Sequence, residues 1–265
     1  MSGALRSVAT AAGRAALALA RDTADLLAPR ACAGCGASEP LPNGLCKFCS
    51  VRLLALVSLP YCPRCGATIG PNLPTAQGGC PWCPQPLGRF AHVVRLGPYA
   101  PPLRGAIHDL KYRQQQAALS HLGGLLAQAV RAQCPEANID LLATVPMHWR
   151  RRIARGFDHA RALGRTVARE LRLPVGDELV RVRATRTQVS LSRTARRENV
   201  RGAFAVHHRR TVRGANVLLI DDVTTTGATA NEATRALLGA GAHRVTLAVL
   251  AKAEPPRAYT AHWQT

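Results

Sequence analysis

The chain has 265 residues, with 35 lysines and arginines against 15 acids, a formal charge of +20 and a pI near 11.1. That length suits one α/β domain with a small appendage, and the positive field selects polyanions: nucleic acid, a membrane surface or phosphorylated ligands. No run reaches the roughly 18 apolar residues of a membrane span, so no span is expected. Lysine occurs only at 47, 111 and 252. A GC-rich genome explains arginine in place of lysine, but not the excess of bases over acids.

Residues 1–30 are alanine-rich and read as a helix. Arg14, Arg21 and Asp22 interrupt the apolar stretch and no cleavage site follows, so the segment is taken as a lead-in rather than a signal peptide. Residues 31–90 form the appendage. Four Cys-x-x-Cys pairs lie here: Cys32/Cys35, Cys46/Cys49, Cys62/Cys65 and Cys80/Cys83. Each pair turns two thiolates toward one point, and two pairs complete a tetrahedron around Zn2+. Two structural zinc ions are expected. Sequential pairing and interleaved pairing both satisfy the spacing. A disulfide framework would need export, and four adjacent dithiols exceed a thioredoxin-like site.

Residues 91–265 form the main domain, and its texture is clear from about Tyr99. Leu103 to Gln116 and Ser120 to Gln133 read as helices. Ile139 to Val145 reads as a strand ending at Pro146, His159 to Leu171 as a helix, and Phe204 to His207 as a short strand. Val217 to Ile220 is a buried strand, Ala230 to Leu238 a helix, and Val245 to Leu250 another strand. Alternating strands and helices predict an α/β fold with a mostly parallel sheet flanked by helices. Cys134 is expected to be a small buried or boundary side chain.

The most informative stretch is Val217 to Thr229. Asp221 and Asp222 close the strand, and Val223, Thr224, Thr225, Thr226, Gly227, Ala228 and Thr229 make a hydroxyl- and glycine-rich turn into a helix. Such a turn can wrap a phosphate with free N–H groups. The acids can hold ribose hydroxyls, directly or through Mg2+, which prefers oxygen ligands. The segment therefore suits a ligand that is a sugar and a phosphate together. A second strand end, Val145-Pro146-Met147-His148, runs into Arg150, Arg151, Arg152 and Arg155, a cradle suited to pyrophosphate. A third run carries Gln188, Arg193, Arg196 and Arg197. Between Arg150 and Arg213 there are eighteen arginines and five acids, with only Phe157 and Phe204 as aromatics. Phosphate contact, not base stacking, is the mode that this composition offers a nucleic acid.

The Asp221–Thr229 motif resembles that of type I phosphoribosyltransferases, which bind phosphoribosyl pyrophosphate (PRPP). With the cysteine pairs, Val145-Pro146, Arg155-Gly156-Phe157, Gln188, Leu191, Arg197, Asn199-Val200 and Ala203-Phe204, the chain from about Cys32 to Leu250 is similar to the ComF family. That family, associated with natural competence and DNA uptake in bacteria, joins cysteine-rich zinc ribbons to a phosphoribosyltransferase domain. The resemblance implies a cytoplasmic protein that binds PRPP with Mg2+ and single-stranded DNA. It further implies work beside other DNA-uptake proteins, such as a competence helicase. Asp221 and Asp222 would be catalytic, and Met147, His148 and Val223 to Thr229 would bind PRPP. A housekeeping phosphoribosyltransferase and a non-catalytic PRPP sensor are the rival readings. One departure stands out. Asp158-His159 replaces the family's Asn-Gln.

Overall fold

The structure is a computed structural model, and it describes residues 31–70, 79–112, 115–147, 158–183 and 193–254. Within the helix 193–200, Arg193, Thr194 and Arg196 are described by their backbone alone.

Five parallel strands form the central sheet: β1 (His92–Pro98), β2 (Leu141–Thr144), β3 (Val175–Gly176), β6 (Asn216–Thr224) and β7 (Arg244–Lys252). They lie in the order β1-β7-β6-β2-β3, so β6 is central. A separate antiparallel pair joins β4 (Leu179–Arg181) and β5 (Phe204–Val206). The helices are α1 (Lys47–Val57), α2 (Leu103–Tyr112), α3 (Gln116–Gln133), α4 (His159–Leu171), α5 (Arg193–Val200), α6 (Arg209–Val212) and α7 (Ala228–Gly239).

Burial on both faces explains the nearly continuous apolar runs of the strands. Successive side chains alternate between two cores. Leu218 and Ile220 of β6 and Ala248 and Leu250 of β7 enter one core, with Leu122 and Leu126 of α3 and Leu163 of α4. Val217, Leu219, Val245, Leu247 and Val249 enter the other, with Ala233 and Leu237 of α7 and Phe204 of β5. The strands expected from sequence are present as β2, β5, β6 and β7, but β6 runs past Ile220 to Thr224 and carries both acids within the strand. Helix α4 has the expected bounds, and α7 begins at Ala228. Cys134 is half-buried at the end of α3.

The cysteine pairs combine sequentially. Cys32, Cys35, Cys46 and Cys49 form one cluster and Cys62, Cys65, Cys80 and Cys83 another, so interleaved pairing is not adopted. The first ribbon shares the main core: Cys32, Cys49, Leu53 and Leu56 pack with Val94, Leu103 and Ile107. The approach is close enough that a Cβ on Gly105 would overlap the carbonyl oxygen of Gly34, 2.0 Å away. The second ribbon has its own small core with Ala67, Ile69 and Leu87. It is tied to the sheet by polar contacts. Val93 N donates to Pro63 O at 2.7 Å, and Arg95 of β1 donates through Nη2 to Thr68 Oγ1 at 2.8 Å. Arg95 also faces Glu254 Oε1 at 3.4 Å, with both side chains almost wholly buried.

Candidate functional site

Parallel strands bring their carboxyl ends to one edge, and Thr144 of β2 lies in register with Ile220 of β6. Val145 N donates to Ile220 O at 2.9 Å, which carries Pro146 and Met147 alongside the two acids. Helix α4 enters at the same edge. Asp158 caps it, accepting from Arg161 N at 3.1 Å in extended backbone geometry. Asparagine would cap equally well, so this half of the Asp158-His159 departure is structurally mild.

The other half reaches Asp222. His159 is buried at the first turn of α4, and its Nε2 lies 2.9 Å from Asp222 Oδ2. A carboxylate only accepts, so Nε2 carries the proton in this bond. Nδ1 has no partner among the described residues. Lys111, near the end of α2, places Nζ 2.7 Å from the same Oδ2, with 22% of its side chain exposed against 14% for Asp222. Val223 N donates to the other oxygen, Asp222 Oδ1, at 2.6 Å. Asp222 N in turn donates to Asp221 Oδ1 at 2.9 Å.

These contacts separate two adjacent carboxyl groups. Burial works against ionisation of Asp222, but the His159 bond and the Lys111 charge outweigh it and hold its pKa well below the usual carboxylate range. Burial, reinforced by the neighbouring Asp222, pushes Asp221 well above that range. Burial works against the Lys111 ammonium, yet the Asp222 charge raises its pKa on balance. The result is one fixed anion beside one carboxyl group that readily holds a proton. Divergent neighbouring acids of this kind are a feature of functional sites.

The turn beyond the acids is held from below. Thr224 is buried and its carbonyl accepts from Ala253 N at 2.8 Å. Lys252 Nζ donates to Thr225 O. Gly227 takes φ +76°, a left-handed conformation that only glycine adopts freely, and it precedes α7 without a side-chain cap. Among the described residues, Ala228 N reaches Thr226 Oγ1 alone, at 3.4 Å. Thr225 is exposed, with Thr226, Gly227 and Thr229 half-buried. A helix N-terminus of this form presents N–H groups and a positive dipole to an anion.

Of the other candidates, Met147 is half-buried at the β2 end. His148, Arg150, Arg151, Arg152, Arg155 and Gln188 lie outside the described residues. Arg193 and Arg196 are on α5. Arg197 is exposed and donates to Gln85 O at 3.3 Å, bridging α5 to the second ribbon. Sequence reasoning assigned no role to Lys111 or Lys252, and placed no contact on His159. The signal was compositional. Two of the three lysines in an arginine-dominated chain stand at this site.

The cysteine clusters fit a tetrahedral soft metal. A tetrahedron with metal–sulfur bonds of about 2.3 Å has sulfur–sulfur edges of about 3.8 Å. The Sγ separations are 3.8 Å for Cys35–Cys46 and Cys62–Cys83, 3.6 Å for Cys65–Cys80 and 3.9 Å for Cys80–Cys83. These are far longer than a disulfide bond. Burial opposes ionisation of Cys32, but the N–H groups of Cys46, Cys35 and Gly34 bring its pKa down to about 7. Burial and the surrounding sulfurs push Cys49 and Cys65 up strongly, and Cys80 to about 11. Four crowded sulfurs that cannot all ionise alone are the donor set a dication resolves. Both groups can hold structural zinc.

The chain has recognisable relatives among known proteins. The model of the phosphoribosyl transferase domain family matches residues 158–263. The DNA utilization protein YhgH of Salmonella typhi is 33% identical over 207 residues, covering 76% of this chain and 87% of that protein. Competence protein F of Haemophilus influenzae is 32% identical over 220 residues, covering 80% and 91%. Among solved structures, an allosteric regulatory enzyme of purine biosynthesis is 22% identical over 54% of this chain and 30% of its own, with a TM-score of 0.37. Among the described residues, no helix is long and apolar enough to cross a membrane.

Proposed function

Since this chain belongs to the ComF family, we propose that it binds PRPP with Mg2+ at the Asp221–Thr229 segment and single-stranded DNA on its arginine-rich flank. It is a phosphoribosyltransferase-like protein. Its relatives carry names of DNA utilization and competence, and handling of DNA strands in the bacterial cytoplasm, beside other uptake proteins, is the role that fits. Zinc in both ribbons is structural. The observation that carries the ligand assignment is Asp222, fixed as an anion by Lys111 and His159, just ahead of an uncapped helix N-terminus.

In this reading the backbone from Thr225 to Thr229 grips the 5-phosphate. Asp221 and Asp222 face the ribose hydroxyls, and Met147 and His148 lie against the pyrophosphate. Lys111 and His159 orient Asp222 and keep it charged. That fixed anion favours the positive charge that develops on the ring as the bond from the anomeric carbon to pyrophosphate breaks. Binding at the remote phosphate holds the anomeric carbon in place. Mg2+, when bound, neutralises charge on the pyrophosphate. The arginines of 150–155 and 193–197 supply the remaining positive field.

The test is to incubate the purified protein with PRPP, Mg2+ and a single-stranded oligonucleotide. Retention of PRPP in equilibrium dialysis and pyrophosphate release are followed together. The expected result is retention that EDTA abolishes. No retention with Mg2+ present would contradict the assignment, and release stimulated by a free nucleobase rather than DNA would favour a housekeeping transferase.

A further inference from the structure

A cavity of about 670 Å3 opens beside the phosphate turn, and neither Asp221 nor Asp222 lines it. Three parts of the chain wall it. One is the exit of the second ribbon, from Pro84 to Phe90. Another is the end of α5, from Arg197 to Gly202. The last is the turn Thr226–Ala228 with the first turns of α7. The ribbon is pinned there. Arg89 N donates to Asn231 Oδ1 at 2.7 Å, and the Phe90 ring lies 3.6 Å from where a Cβ on Gly227 would be.

The charge in this cavity is uneven. Glu232 is committed, accepting from Gly202 N at 2.6 Å and from Arg235 Nη2 at 2.6 Å. That leaves the guanidinium groups of Arg89, Arg197 and Arg201 against the carboxylate of Glu198. The rest of the lining includes Pro84, Pro86, Leu87 and Val200. A ligand that suits both parts carries a phosphate and a less polar sugar or base. The volume lies within the range of about 300–1,000 Å3 typical of small-ligand sites, room for a nucleotide or two and too little for a duplex. Trp82, two residues ahead of Pro84, is 58% exposed on the same ribbon. It provides a stacking surface that the aromatic-poor arginine region lacks.

We propose that this cavity is a nucleotide-phosphate subsite, separate from the acid pair, where a single strand passes between the second ribbon and the phosphate turn. The strand as the source of that nucleotide rests on the DNA-binding reading above. A free mononucleotide shares the chemistry, and competition separates the two.

The experiment uses the full zinc-loaded chain and fluorescein-labelled dT12, followed by anisotropy over a salt series. The variant is Arg89→Ala with Arg201→Ala, both exposed positions. Arg244→Ala, exposed at the opposite end of β7, is the control. Removing one phosphate partner from a single strand should flatten the slope of log K against log salt by about 0.7. The double variant is expected to flatten it by about 1.4, to keep wild-type PRPP affinity and to hold its zinc. The control should match wild type. Displacement of dT12 by dTMP would show that free nucleotides also enter, and no displacement would assign the site to strands. Photo-cross-linking of wild type to an iodouracil strand reads the same site without substitution. Adducts are expected between Trp82 and Phe90 or between Arg197 and Gly202. An unchanged slope in the double variant, or adducts confined elsewhere, would overturn the proposal while strand binding stood. A wild type that binds PRPP but no strand would remove the DNA reading and this inference together.

Discussion

Lys111 Nζ lies 2.7 Å from Asp222 Oδ2, so a residue at the end of α2 fixes the charge of a carboxylate on the central strand. His159 shares that oxygen through its Nε2, at 2.9 Å. Lys111→Met is expected to destabilise the protein by about 1.5–3 kcal/mol, the range for a hydrogen bond to a charged group. It should also weaken PRPP binding. Lys111→Arg should recover most of the stability. Urea denaturation at pH 7 checks this, and a change within experimental error would show that the pair contributes nothing net.

Asp221 gives a pH signature of the opposite sign to Asp222. Its pKa is raised in the folded state. Below the unfolded value of about 3.9 both states are protonated. As pH rises past that point the unfolded chain ionises first, so folded stability falls until the raised pKa is passed. Asp222, whose folded pKa is depressed, instead contributes stability above the unfolded value and loses it as pH falls toward its folded pKa. Asp221→Asn should therefore gain on wild type as pH climbs from about 4. Thermal melts between pH 4.5 and 8 without Mg2+ read the difference, and a constant gap would contradict the assignment.

Metal analysis should find about two zinc ions per chain, one for each four-cysteine group. Cys49 packs in the main core whereas Cys65 packs only within its own ribbon. Cys49→Ser should thus lower the melting temperature more than Cys65→Ser. A zinc ratio near zero, with disulfides found by thiol titration, would remove the metal assignment.

Arg95 and Glu254 form a buried pair that joins the second ribbon to the end of β7. Arg95→Met alone leaves a buried carboxylate uncompensated and should cost about 3–5 kcal/mol. Adding Glu254→Met should recover much of it. If the double substitution is no better than the single one, the pairing is not what makes Arg95 costly to replace.

That pair also shows why one strand was hidden in the sequence. His92–Pro98 contains an arginine mid-run and closes on a proline, so no apolar alternation marks it. The partner of that arginine, Glu254, is 159 positions away, beyond any local pattern. The central motif was legible because its chemistry is contiguous: strand, two acids, glycine turn and helix follow one another within Val217–Thr229. Lys111 and His159 were not, because their long separation in sequence from Asp222 is closed only by the packing of α2 and α4 on the sheet. The cysteine spacing set the number of clusters but not their pairing. The docking of the first ribbon into the main core depended on the close approach of Gly34 and Gly105, which spacing does not encode.

Every role proposed for the acid pair turns on PRPP binding at the Asp221–Thr229 segment with Mg2+. Titration calorimetry of PRPP into wild type and into the Asp221→Asn, Asp222→Asn double variant, each with and without Mg2+, decides it. Mg2+-dependent binding is expected in wild type, and its loss is expected in a double variant that remains folded and zinc-loaded. Equal PRPP affinity in the two proteins would place the ligand elsewhere and contradict the assignment.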